Sequence, residues 1–107
     1  MSKINLTYKD KEYTLEYTRQ TVRTMESQGF IFDELTTKPA TMFPMLFAGA
    51  FYRHHKGMKR SLQDEIYEEL PRKTDFIQVL GEMYAETLST LMDGKEDEGN
   101  VSWAVVQ

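Results

Sequence analysis

Residues Met42–Tyr52 read MFPMLFAGAFY, eleven in a row with no charged side chain, three of them Phe and two Met. A helix at a protein surface needs only one apolar stripe. This stretch is apolar on every side, so the chain must either wrap it inside its own core or offer part of it to another protein. At eleven residues it falls well short of the roughly 17–25 that span a bilayer. Both outcomes call for a body built around one greasy helix.

The rest of the chain can supply that body. A length of 107 residues fits one domain and buries roughly 65% of the surface exposed when unfolded. Charged residues make up 28% of the chain and the net charge is −4, with a pI near 5.2. An acidic balance argues against a phosphate-binding surface. There is no cysteine, hence no disulfide, thiolate metal site or cysteine nucleophile, which suits a reducing compartment. The N-terminus alternates polar and apolar residues and lacks the continuous apolar core of a secretory signal.

Ile4, Leu6 and Tyr8 alternate with polar residues, as do Tyr13, Leu15 and Tyr17, with Lys9-Asp10-Lys11-Glu12 between them. This predicts a β-hairpin over 3–17 with one buried face. Thr18 is placed to cap a helix over about 19–28, and Gly29 to stop it. Phe30-Ile31-Phe32 reads as a buried connector or short strand, and Asp33-Glu34-Leu35 as a single turn. The greasy helix is expected over 42–55, capped by Thr41, with Pro44 tolerated in its first turn. Gly49 inside it costs about 1 kcal/mol against Ala, which points to close approach of another backbone. Ser61-Leu62-Gln63-Asp64 resembles a capping box opening a third helix over 61–70. Phe76, Ile77, Leu80, Met83, Tyr84, Leu88, Leu91 and Met92 follow helical steps, predicting the longest helix over 74–92. The expected fold is α+β and mostly α: a hairpin, then a bundle of about four helices in a single domain over 1–93. Residues 94–107 form an acidic polar hinge and a hydrophobic tail around Trp103.

No constellation for catalysis or metal binding stands out. His54 and His55 are adjacent, and neighbouring helix positions diverge by about 100°, so they do not share a metal easily. Arg53, Lys56, Lys59 and Arg60 form a basic cluster that reads as a solvated corner or a docking patch; binding to DNA is the minor alternative. Asp64, Glu65, Glu68 and Glu69 read as a solvated helix face, because catalytic carboxylates need a cleft and perturbed surroundings. The expectation is a non-enzymatic protein without cofactor or metal, acting through binding and assembly.

Several segments carry a family likeness. They are Tyr13-Thr14-Leu15-Glu16-Tyr17-Thr18-Arg19 entering the first helix, Met25-Glu26 with Gly29-Phe30 at its end, and Leu46-Phe47-Ala48-Gly49-Ala50-Phe51. Asp64-Glu65-Ile66-Tyr67, Glu82-Met83-Tyr84 and Gly99-Asn100-Val101-Ser102-Trp103 complete the set. With the order of elements, the chain resembles the small tail assembly chaperones of long-tailed phages and prophages of Gram-positive bacteria.

That resemblance implies a chaperone in the host bacterial cytoplasm that coats the aggregation-prone tape measure protein. It then yields to polymerising tail tube subunits and is absent from the mature virion. Many such proteins are made in two lengths by ribosomal frameshifting. The family lends no catalytic residues. A coating protein needs an adaptable apolar surface and a way to repeat as a homo-oligomer. Met42, Met45, Leu46, Phe47 and Phe51 are the expected contact or self-association surface, with Gly49 allowing close helix approach. Val101, Trp103 and Val105 are the expected residues of subunit exchange. A virion structural protein, such as a head–tail connector or minor tail subunit, is the main alternative.

Overall fold

The computed structural model describes residues 3–92 and 104–106. Strands β1 (Ile4–Tyr8) and β2 (Lys11–Leu15) pair antiparallel, with Ile4 opposite Leu15, Leu6 opposite Tyr13 and Tyr8 opposite Lys11. The turn is two residues, shorter than the four-residue polar stretch suggests. Lys9 and Asp10 both take positive φ, 49° and 66°, the backbone that matches the right-handed twist of a two-residue hairpin. Leu6, Tyr13 and Leu15 are buried, while Asn5, Thr7 and Glu12 on the other face are exposed. Among the described residues the sheet has only these two strands.

Helix α1 (Arg19–Ser27) begins and ends as its sequence indicates. The Thr18 hydroxyl accepts the Thr21 N–H at 3.2 Å, and the Thr21 hydroxyl accepts the Thr18 N–H at 2.8 Å. This reciprocal cap satisfies two otherwise orphan donors. At the other end Gly29 takes φ 99°, and the N–H groups of Gly29 and Phe30 bond the carbonyls of Glu26 and Met25, a Schellman stop. Phe30 is buried, but Ile31 is exposed, and Phe32–Glu34 form a single 3-10 turn.

Helix α2 (Pro39–Gly49) starts earlier and ends sooner than 42–55. Lys38, not Thr41, holds the capping position, and Pro39 fills the first helical place, where a missing N–H costs nothing. Pro44 therefore lies in the second turn and leaves the Ala40 carbonyl without its helical donor. Ala40 is exposed, so water reaches that oxygen. Past Phe47 the winding tightens: Ala50, Phe51 and Tyr52 donate to Phe47, Ala48 and Gly49, three residues back. The Leu46 carbonyl is thereby freed, and the buried Tyr17 hydroxyl donates to it at 2.5 Å. The Ala50 carbonyl in turn accepts the Glu16 N–H at 3.0 Å, fastening the end of the hairpin to the end of α2.

Helices α3 (Arg60–Glu69) and α4 (Lys73–Met92) complete the body. The Ser61 capping box does not form: Lys59 is the capping residue, no side chain caps the helix, and Asp64 faces Arg60 at 3.4 Å. The hairpin tip rests on α3, where the Tyr8 hydroxyl donates to Glu65 and Lys9 pairs with it at 3.3 Å.

α2 packs against α1, α3, α4 and the 3-10 turn. Phe47 meets Phe51, Tyr67 and Phe76, with ring centroids 5.1, 5.3 and 5.9 Å away. Tyr84 on α4 gathers Tyr17, Phe30 and Phe32. Offset and edge-on aromatic pairs of this kind add about 0.5–1.5 kcal/mol each beyond their buried area. Among the described residues every buried side-chain polar atom has a hydrogen-bond partner, and no helix is long and apolar enough to cross a membrane.

Candidate partner-binding groove

The structure divides the expected contact residues. Met42, Leu46, Phe47 and Phe51 are sealed, with at most 5% of their surface exposed. These four therefore belong to the core of this fold, on the face of α2 and its continuation that the other elements cover. Gly49 is also buried, and what approaches it is a side chain, not a backbone. A Cβ there would meet Met25 Sδ, Cε at 2.7 Å and Cγ at 2.8 Å. Met45 alone of this set is half-open. Val105 is 70% exposed; Val101 and Trp103 lie outside the described residues.

Met45 opens onto a groove built from three segments. A cleft of about 220 Å³ is lined by Met25 of α1, Met45 and Gly49 of α2, and Tyr52, His55 and Met58 of the connection to α3. Three methionines thus line one recess, and their flexible, polarizable thioethers fit varied apolar shapes. Tyr52 and Lys56 also line a second, wider hollow of about 620 Å³ whose wall includes Thr18, Arg19 and Arg53. Sharing Tyr52 and Lys56, the two adjoin as the halves of one groove, with the methionines in the first and Arg19 and Arg53 in the second. Gln28 donates to the Tyr52 hydroxyl at 2.7 Å and holds the ring at the junction.

The two histidines fasten the wall rather than forming a site. His54 Nε2 lies 2.7 Å from Glu16 Oε1. His55 Nε2 accepts the Thr14 N–H at 3.0 Å, which requires that nitrogen to be unprotonated. Burial lowers the His55 pKa, and the neighbouring His54 and Lys11 charges add to the effect. The bond and the shift agree on a neutral ring.

Other titrating groups are shifted by burial and by their hydrogen-bond partners. Burial pushes Tyr17 well above its ordinary range, and Tyr84 up to about 12, the latter with help from Glu26. The Tyr8 hydrogen bond, then Lys9, hold the Glu65 carboxyl below the usual range. No cluster of three or more potential metal ligands exists among the described residues. The groove carries apolar, cationic and hydroxyl groups.

Arg53 and Lys56 belong to the basic cluster visible in the sequence. Met25, Tyr52, Met58 and Arg19 carry no such signal, because each reads locally as core or solvated surface and only the packing of α1 beside the end of α2 brings them together.

The chain belongs to the DUF5055 family, a domain of unknown function, whose profile matches residues 1–106. No curated protein and no solved structure matches it.

Proposed function

We propose that this DUF5055 chain is a non-enzymatic tail assembly chaperone, which binds and solubilises a tape measure protein and helps recruit tail tube subunits in the host bacterial cytoplasm. The likeness of its segments to the small chaperones of long-tailed phages supplies the partner. The observation that carries a binding role is the groove: two methionines, Met45 and Met58, and a tyrosine half-open to solvent beside unmatched cations, with the buried Met25 as its floor. A tape measure protein is long, helical and apolar along its length. Successive apolar side chains of such a helix enter the methionine half, where the half-open Met45 and Met58 adapt to whatever residue arrives. Affinity per copy is modest and is multiplied by repetition along the partner, which allows tube subunits to displace the coat.

The test is co-expression with the tape measure protein. Met45→Asp and Met58→Asp variants that keep the wild-type circular dichroism leave the partner insoluble, whereas wild type keeps it in solution. Undiminished solubilisation by both variants would remove the groove from this role. Mass spectrometry of purified particles separates the reading from a virion structural protein, since a chaperone is absent from the finished particle.

A further inference from the structure

We infer that the cationic half of the groove receives the acidic stretch Glu96-Asp97-Glu98 of a second copy of this chain, so that copies join head to tail. Arg19, Arg53 and Lys56 all line this half. Arg53 and Lys56 have no ion pair among the described residues. In a chain of net charge −4, unmatched cations converging on one hollow are a local excess that calls for an anion.

The sequence holds a matching one. Residues 93–98 read Asp-Gly-Lys-Glu-Asp-Glu, four carboxylates against a single lysine. The last turn of α4 lies at the rim of the hollow, because Arg19 Nη2 donates to the Thr90 carbonyl at 3.2 Å. In the sequence the acidic stretch begins four residues after the end of α4 at Met92, so each copy carries both donor and receiver. Further along, Val105 and Val106 are 70% and 95% exposed. These valines are thus open to a neighbouring copy.

Such a contact joins two different surfaces and so repeats, closing a ring or extending a filament according to the rotation between copies. It shares the groove with the proposed function but does not depend on it, since the test contains this chain alone.

The experiment is sedimentation velocity of the full chain over a range of concentrations. Wild type shows a mass that rises with concentration and falls as salt is raised from about 0.05 M to about 0.5 M, as screening weakens exposed charge pairs. Arg53→Glu with Lys56→Glu puts an acidic groove with an acidic stretch and raises the dissociation constant by on the order of tenfold or more. Glu96→Lys, Asp97→Lys and Glu98→Lys together put a basic groove with a basic stretch and do the same. An equimolar mixture of the two variants associates again, because each now offers what the other accepts. The milder pair Arg53→Gln and Lys56→Gln weakens association without reversing it, covering the case in which charge reversal disturbs folding. A wild-type chain that stays monomeric throughout overturns the proposal, as does a mixture that fails to associate or a charge-reversed groove with wild-type association.

Discussion

Two consecutive stretches, Pro39–Gly49 and residues 50–59, have opposite characters and opposite fates. The first carries no charge and packs against the helices and the turn around it, with Met42, Leu46 and Phe47 sealed. The second contains Arg53, His54, His55, Lys56 and Lys59, runs through successive turns and lines a groove. Both are tied to the hairpin, the first through Tyr17 on the Leu46 carbonyl and the second through Thr14 on His55. Apolarity on all sides therefore signals centrality here. The surface open to a partner comes where apolar residues are sparse and mixed with charge.

That contrast is open to direct attack, and the largest effect is expected at its sealed end. Phe47→Ala removes a ring packed against three others and costs about 3–5 kcal/mol, measured by urea denaturation. A cost near zero would mean that α2 is not the centre of the body. Tyr17→Phe leaves the buried Leu46 carbonyl without its donor and costs about 1–3 kcal/mol. At the junction, Gly49→Ala gains about 1 kcal/mol of helix propensity, but its methyl group collides with Met25, and overpacking costs about 1–3 kcal/mol. Net destabilisation of about 1 kcal/mol is expected. It shrinks in a Met25→Ala background, where the cavity accepts the methyl group, and a double-mutant cycle reads the difference.

The groove side responds to pH. The His55 pKa is lowered in the folded state, so the unfolded chain binds the extra proton first as pH falls. The contribution of His55 is complete above its ordinary pKa of about 6.5. It is lost as pH drops from there toward the lower folded value, and then levels off. Thermal unfolding of wild type against His55→Gln should show the two chains diverging across that window. Equal pH dependence would show that the Thr14 bond does not govern the ring. The smallest effect belongs to Arg53→Ala, which is exposed and unpaired among the described residues. It should change stability by less than about 0.5 kcal/mol while weakening association between copies.

Legibility followed the range of the forces involved. The hairpin, the α1 cap and stop, and α4 rest on neighbours within four residues, and alternation, Thr18, Gly29 and the three-and-four spacing announce them. The bounds of α2 depend on distant groups. Its tightened end leaves a free carbonyl because Tyr17, distant in sequence, is there to use it. The capping box at Ser61 failed for a related reason. The chain enters α3 one residue earlier, at Arg60, and Asp64 turns to that arginine. Of the expected contact residues, Met45 lines the groove, while Leu46 and Phe47 beside it do not, since one turn of helix separates solvent from core.

From its residues alone this chain was bound to be a hairpin followed by helices around one greasy segment, because local periodicity, caps and composition leave little else for that segment to do. Which of its methionines and cations would share a groove was settled only by packing. The groove joins side chains from α1, α2 and the connection beyond, and no rule of spacing along a chain relates residues that meet only when three separate segments fold together.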